Sequence, residues 1–67
     1  MQVFINEQAT DTNGWNFLRD VMVSKGIEDA KGYAVAVNNN VIPRNEWSNK
    51  RLGEGDKILI IKASAGG

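Results

Sequence analysis

The chain of 67 residues contains no cysteine and no histidine. Without cysteine, neither a disulfide nor a thiolate zinc site can stabilise the fold. The usual general base and the strongest protein nucleophile are therefore both missing, and Ser24, Ser48 and Ser64 have no imidazole to activate them. These absences argue against an enzyme that works alone.

The chain also lacks an excess of either charge, since eight Lys and Arg residues balance eight Asp and Glu residues. A neutral protein without a basic surface is a poor ligand for nucleic acid. No apolar run reaches membrane-spanning length, and the first residues lack a signal pattern. The carboxylate pairs Glu28-Asp29 and Glu54-Asp56 do not match a calcium loop. We therefore expect a cytoplasmic protein with no metal, membrane or nucleic-acid partner.

Alternation of apolar and polar side chains predicts short β-strands in several parts of the chain. In the first of them, "MQVFIN", Val3 and Ile5 share one face and Phe4 lies on the other. An asparagine-rich turn predicts a hairpin after Val37, because asparagine tolerates a left-handed backbone, and Pro43 ends the pairing because it has no N–H. The predicted strands are residues 1–6, a return strand within 7–11, 33–37, 41–42 and 57–62.

A helical period replaces this alternation in "DTNGWNFLRDVMVSKGI". Apolar residues recur there at the spacing of one helix face and predict a stripe that packs against the sheet. We expect the helix to begin at Thr12 or Asn13 and to stop at Gly26, with Ile27 folded back on the last turn. The stripe consists of Leu18, Val21 and Met22, and Trp15 and Lys25 extend it by one turn in either direction.

The order of the predicted elements is strand, strand, helix, strand, short strand, turn and strand. One helix can cover one face of a four- or five-stranded mixed sheet, and connection handedness lets the first and last strands lie parallel at its centre. This order predicts an α+β fold of the β-grasp (ubiquitin-like) type. We expect a domain over residues 1–63 and a flexible tail over residues 64–67.

The last predicted strand is apolar on both of its faces. Ile58 and Ile60 share one side, and Leu59 and Ile61 share the other. Because a single helix covers only one face, Leu59 and Ile61 should lie on the open face beside Phe4. Scattered apolar exposure is normal, but a contiguous cluster is typical of an interaction site. We therefore predict that Phe4, Leu59 and Ile61 bind a partner.

The chain ends in the small residues Ser64, Ala65, Gly66 and Gly67, directly after this strand. Such residues bury little surface and can thread a narrow channel in extended form. The Gly67 carboxylate has no side chain beside it to hinder attack, but it becomes a good electrophile only when activated, for example by adenylation. On a β-grasp body, such a tail indicates a reactive terminus.

Two motifs fill most of the C-terminal half before the terminal Gly66-Gly67. They are Val37-Asn38-Asn39-Asn40-Val41-Ile42-Pro43-Arg44-x-x-Trp47 and Leu52-x-Glu54-Gly55-Asp56-x-Ile58-x-Ile60. Together with "MQVFIN" and the short chain, they resemble the sulfur-carrier proteins of thiamin biosynthesis (ThiS type). Within this pattern we expect Trp47 to cap the core and Glu54 and Asp56 to form a turn.

The resemblance implies a carrier rather than an enzyme. A ubiquitin-activating-like adenylyltransferase (ThiF type) would use ATP to adenylate Gly67, and sulfur from a persulfide would convert the product to a thiocarboxylate. A thiazole synthase (ThiG type) would then receive the sulfur. The chain itself would bind no cofactor and would be a monomer when free. Gly66 would give flexibility and clearance, with Ala65 and Ser64 completing the tail.

Other functions share the same fold and terminus and stay open at this point. One is the small subunit of molybdopterin synthase, which is also a sulfur carrier. Another is a ubiquitin-like modifier that is joined to lysines through Gly67, and a third is an interaction module whose glycines have no chemistry. The short chain and the Asn-Asn…Pro-Arg-x-x-Trp pattern favour the thiamin carrier.

Overall fold

A computed structural model describes residues 1–27 and 32–62 of the chain. A 3₁₀ turn at Arg44–Glu46 joins the second hairpin to the segment that leads into the last strand. The predicted strands are confirmed, with the fourth displaced by one residue. The elements are β1 (Gln2–Ile5), β2 (Gln8–Asp11), α1 (Leu18–Ser24), β3 (Tyr33–Val37), β4 (Asn40–Val41) and β5 (Lys57–Lys62).

The five strands form one mixed sheet in the order β2-β1-β5-β3-β4. The predicted parallel pairing of the first and last strands is confirmed, with Ile5 of β1 beside Ile58 of β5. On its other side β5 pairs antiparallel with β3, from Tyr33 opposite Lys62 to Val37 opposite Ile58. The strand that leads to the C-terminus therefore lies at the centre of the sheet.

A hydrophobic core lies on one face of this sheet, where α1 packs. The predicted stripe residues Leu18, Val21 and Met22 are fully buried. Trp47 is buried as predicted, and its indole Nε1 donates a hydrogen bond of 2.9 Å to the carbonyl of Ile42. Within the described residues, no helix is long and apolar enough to cross a membrane. The core residues are Val3, Ile5, Leu18, Val21, Met22, Val35, Val37, Trp47, Leu52 and Ile58.

The predicted start of the helix is wrong, because α1 begins only at Leu18. The backbone N–H and the hydroxyl of Thr12 both donate to the carbonyl of Met1, at 2.9 and 3.0 Å. The N–H of Leu18 donates to the carbonyl of Lys50 at 2.8 Å. These long-range bonds fix the segment before α1 in a non-helical conformation. Trp15 lies outside the helix but still packs, half-buried, against the core.

The first turn of α1 is capped by a carboxylate from inside the helix. Asp20 Oδ2 accepts hydrogen bonds from the backbone N–H groups of Phe17, at 3.0 Å, and Asn16, at 2.9 Å. These two donors, Phe17 foremost, lower the pKa of Asp20 below its usual value of 3.8. Phe17 occupies the N-cap position without a side-chain acceptor, so Asp20 supplies the capping bonds.

The predicted helix stop at Gly26 is confirmed. Gly26 has a φ of 71°, and its N–H donates to the carbonyl of Val23 at 2.9 Å. The N–H of Ile27 reaches the carbonyl of Met22 at 3.0 Å, which completes a Schellman motif. Ile27 packs against the core as predicted.

Candidate functional site

The face of the sheet opposite α1 carries the predicted partner-binding residues. The register places Phe4 of β1 beside Lys57 of β5, and Leu59 and Ile61 follow at alternate positions along β5. Leu59 is 46 % exposed and Ile61 is 51 % exposed, while Phe4 is half-buried. Large apolar side chains on the open face are the signature of an interaction surface.

The structure brings two of these three residues together around one hollow. Phe4 of β1, Leu59 of β5 and Ala36 of β3 all line a hollow of about 390 Å³. Ile61 does not line it, because it lies further along β5, opposite Ala34. The predicted patch is thus a hollow at Phe4 and Leu59 with Ile61 as its extension towards the C-terminal end of β5.

Three further apolar residues extend the open face and were not predicted to do so. Ala36 pairs with Leu59 in β5 and with Val41 in β4, and Ala34 pairs with Ile61. Val41 is 74 % exposed. The signal was present in "YAVAV", where Ala34 and Ala36 alternate with the buried valines. Because alanine side chains are small, Ala34 and Ala36 did not suggest that β3 contributes to the open face.

Charged and amide side chains contribute to the lining of the hollow. The polar side chains that line it, beside the apolar ones, are Asn6, Glu7, Asn39 and Lys57. Over the described residues, no group of three or more acidic side chains is placed to hold a metal ion. The open face, as far as the structure describes it, is therefore an apolar surface bordered by polar side chains.

Two asparagines fix β5 from its two neighbouring strands. Asn6 Oδ1 accepts from the N–H of Ile60 at 2.8 Å, and Asn6 Nδ2 donates to the Ile60 carbonyl at 3.4 Å. On the other side, Asn38 Oδ1 accepts from the N–H of Lys57 at 3.0 Å. The N–H of Asn38 donates to the Lys57 carbonyl at 2.8 Å. The strand that precedes the tail is thus held on both sides.

The predicted turn before β5 is built by its own carboxylates. Asp56 Oδ2 accepts from the N–H of Gly53 at 2.7 Å, and Asp56 Oδ1 accepts from Asn38 Nδ2 at 2.9 Å. The Glu54 carboxylate accepts from the N–H of Gln2 at 3.2 and 3.3 Å. Glu54 and Asp56 therefore serve the geometry that starts β5, as the sequence indicates.

The predicted tail residues Ser64, Ala65, Gly66 and Gly67 lie outside the described residues, as does the boundary placed after residue 63. The last described residue is Lys62, at the end of the central strand. The described residues establish the position of β5, the strand that the tail follows in the sequence. The role assigned to Gly67 stays a prediction.

A mixed sheet with parallel central first and last strands, crossed by one helix, defines a β-grasp protein. Two solved structures of ThiS from Geobacter metallireducens have this fold. The crystal structure of that thiamine biosynthesis protein superimposes with a TM-score of 0.82 over all of both chains, at 17 % sequence identity. The solution structure gives a TM-score of 0.76 and covers all of this chain and 88 % of the other, also at 17 % identity.

Sequence comparison narrows this class to one family. The ThiS family model matches residues 2–67. The sulfur carrier protein ThiS of Escherichia coli (strain K12) is 30 % identical over 67 residues, which cover all of both chains. The chain therefore belongs to the ThiS family of sulfur carriers, and the resemblance seen in its motifs is confirmed.

Proposed function

We propose that this protein carries sulfur for thiamin biosynthesis as a thiocarboxylate on Gly67. The observation that carries the proposal is the family match, which extends through residue 67 and so includes the terminal Gly66-Gly67. The names of the relatives, a sulfur carrier and thiamine biosynthesis proteins, support the same pathway. The central position of β5, which ends at Lys62, supports a tail that projects from a fixed strand.

The chemistry starts from an unactivated carboxylate. A carboxylate oxygen of Gly67 attacks the α-phosphorus of ATP, which forms an acyl-adenylate and releases pyrophosphate. The terminal sulfur of a protein persulfide then attacks the acyl carbon, and AMP leaves. A second thiol cleaves the resulting sulfur–sulfur bond, which leaves the thiocarboxylate on Gly67 and a disulfide on the donor proteins. The carrier terminus thereby becomes a sulfur nucleophile.

In this series of reactions, partner proteins supply every catalytic group. The chain has no cysteine and no histidine, so it contributes neither the persulfide nor a histidine base. We assign adenylation to a ubiquitin-activating-like adenylyltransferase (ThiF type), which binds the ATP, and sulfur acceptance to a thiazole synthase (ThiG type). We further propose that the carrier acts in the cytoplasm and is a monomer between these encounters.

The body of the carrier contributes contact surface. Phe4, Leu59 and Ile61 provide apolar area on the open face, and burial of such area against a partner favours association. In this role the three residues dock the carrier, Gly66 gives clearance, and Ser64 and Ala65 pass through the channel to the active centre. Docking and chemistry thus fall on different parts of the chain.

Intact mass after incubation with ATP, the adenylyltransferase and a persulfide donor tests the proposal. The full chain should gain about 16 Da, since one terminal oxygen is replaced by sulfur. Deletion of Gly67 should abolish the gain, because Gly66 then ends the chain one residue short of the active centre. The matched control is Ser64→Ala, which changes the tail but keeps both glycines and should be loaded normally.

Several results would overturn this function. Normal loading of the chain that lacks Gly67 would remove the assigned site. Transfer of sulfur to the large subunit of molybdopterin synthase, and not to thiazole synthase, would place the carrier in the other pathway. A ladder of lysine conjugates without free thiocarboxylate would instead identify a protein modifier.

A further inference from the structure

We propose that two lysines beside the start of the tail, Lys25 and Lys62, contact acidic side chains of the adenylating enzyme at the mouth of the channel that receives the tail. The proposal rests on the carrier function proposed above and assigns a charged contact to that encounter. It concerns the side of β5 that faces α1 and not the open face.

The two lysines line one open groove of about 530 Å³, which is called the lysine groove below. Lys25 directly follows α1, and Lys62 is the last residue of β5. Ile60 also lines the groove. Because side chains alternate along a strand, Ile60 and Lys62 share the covered side of β5 with the buried Ile58. The lysine groove therefore lies on the opposite side of β5 from Leu59.

The lysine groove is positively charged. Among the described residues that line it are two lysines and no acidic side chain. Both lysines are exposed, and the ion pair found in the described part of the chain joins the Met1 amine to Asp11 instead. The described surface from which the tail continues therefore carries two cations that no described carboxylate neutralises.

The construction of the groove suits carboxylates on a protein surface better than a small anion. Phosphate sites commonly use backbone N–H groups at the N-terminal end of a helix. Here α1 presents its C-terminal end, and the partial negative charge of its last carbonyls disfavours an anion seated inside the groove. The Ser24 hydroxyl already donates to the carbonyl of Val21 at 2.7 Å. Exposed lysines on flexible stems can instead reach carboxylates at the rim of a partner.

The position of the lysine groove connects its partner with the reaction at Gly67. Gly67 follows Lys62 by five residues, which span at most about 18 Å when fully extended. An enzyme that holds Gly67 in its active centre must therefore present its own surface to the region around Lys62. Acidic side chains on that surface complement both lysines.

Adenylation is the step to which this attraction contributes most. The adenylating enzyme meets an unmodified carboxylate on a tail of alanine, serine and glycine, which offers no further charge and little apolar surface. Attraction between the lysines and an acidic rim acts over about 8 Å at physiological salt and turns the tail towards the channel. The contact therefore governs the KM for the carrier and not the rate of the chemical step.

Charge reversal at each lysine tests the proposal in ATP–pyrophosphate exchange by the ThiF-type adenylyltransferase. At about 20 mM salt, Lys25→Glu and Lys62→Glu should each raise the KM for the carrier about fivefold or more, with kcat changed by less than about twofold. The rise should shrink as the salt concentration approaches about 0.5 M, because dissolved ions screen exposed charges.

Lys50→Glu is the matched control for these variants. It makes the same change in charge at the opposite end of α1, where the N–H of Leu18 donates to the Lys50 carbonyl, and Lys50 does not line the lysine groove. It should change KM by less than about twofold. An equal rise would overturn the proposal, because the net charge of the carrier and not the groove would then govern binding. Circular dichroism melting checks that all three variants are folded.

The two lysines have to respond together. Lys62 adjoins the tail, so a substitution there can also disturb the path of the tail, whereas Lys25 is distant from the tail in sequence. A higher KM for Lys62→Glu without one for Lys25→Glu would therefore contradict a shared contact. An unchanged KM in both variants, or a rise that persists undiminished at about 0.5 M salt, would contradict it as well.

The same assay separates this contact from the carrier function. Exchange that persists after deletion of Gly67 overturns the carrier, whatever the lysines do. Exchange that requires Gly67 but is unaffected by both lysine variants overturns the lysine contact alone. If both variants are adenylated normally but deliver sulfur to thiazole synthase with a higher KM, the assigned partner is wrong.

Discussion

Asn6 and Asn38 each combine a left-handed backbone with a side chain that bonds β5. Their φ angles are 49° and 51°. A two-residue hairpin turn of type I′ requires a positive φ at this first position. Asparagine adopts this conformation more readily than other residues with a side chain, and its amide can mimic a strand peptide. At each of these positions, asparagine therefore both forms the turn and bonds the backbone of β5 through its side chain.

Replacement of Asn6 by glycine should separate these two roles. Asn6→Gly keeps the left-handed backbone but removes both hydrogen bonds to Ile60, and should cost about 1 kcal/mol of unfolding free energy. The matched control is Asn39→Gly, at a φ of 72° and without a side-chain bond to β5, where little change is expected. Hydrogen exchange of the Ile60 amide should accelerate only in the Asn6 variant. Unaltered protection of that amide would contradict the assigned role.

At the scale of elements, the strands were predictable and the ends of the helix only partly so. Alternation such as Val3, Phe4 and Ile5 is a local pattern and reports the strand directly. The stop at Gly26 is also local. The start at Leu18 depends on hydrogen bonds from Thr12 to Met1 and from Leu18 to Lys50, and the segment that contains these partners could not be identified from the local pattern. The capping residue Thr12 therefore predicted a helix start that the structure does not have.

The difference between local patterns and contacts distant in sequence also explains which parts of the candidate site could be predicted. Leu59 and Ile61 were placed on the open face because β5 is apolar on both sides and one helix covers one face. The hollow lined by Phe4 and Leu59 could not be predicted, because it depends on the register that sets Ala36 opposite Leu59 and Phe4 beside Lys57. The asparagine bonds to β5 depend on that register too.

The cap of α1 makes a prediction with a defined pH dependence. Asp20→Asn should lower the unfolding free energy by about 1 kcal/mol at neutral pH, because an amide accepts the two N-terminal hydrogen bonds more weakly than a carboxylate. The bonds from Phe17 and Asn16 lower the pKa of Asp20 in the folded state. The stabilisation is thus complete well above pH 3.8 and is lost as the pH falls below that value.

Urea unfolding of the wild type and Asp20→Asn from pH 7 to pH 2 measures this effect. The difference between the two proteins should shrink as the carboxylate is protonated. Asp11→Asn is the control, since the Asp11 carboxylate lies 3.8 Å from the N-terminal amine at an exposed position and should contribute little. A difference that stays constant to pH 2 would show that the charge on Asp20 is not what stabilises the helix.

At the scale of the whole molecule, β5 joins two hairpins that do not otherwise pair. The β1–β2 hairpin lies on one side of it and the β3–β4 hairpin on the other. Ile58 of β5 is buried in the common core, and the core residues found in the described part of the chain run from Val3 to Ile58. The sheet and the core of the described residues therefore depend on β5, which holds the two hairpins together.

Two truncations test this dependence on β5. A chain that ends at Lys62 should melt within about 2 °C of the full chain, because it keeps every core residue that the structure describes. A chain that ends at Asp56 lacks β5 and should be unfolded by circular dichroism and by dispersion of its amide proton signals. Neither chain should accept sulfur. A marked loss of stability on removal of residues 63–67 would show that the tail packs on the body.

The pairing of β1 with β5 also sets the order of events during synthesis. The first strand β1 can pair with β2 as soon as that hairpin leaves the ribosome, but its other neighbour β5 is made much later, since Ile5 pairs with Ile58. Closing that contact spans almost the entire chain, so the nascent protein cannot complete its sheet until β5 has emerged. The complete sheet can therefore form only after translation has passed Ile58. We expect chains that end before this residue to stay unfolded and to be degraded by proteases.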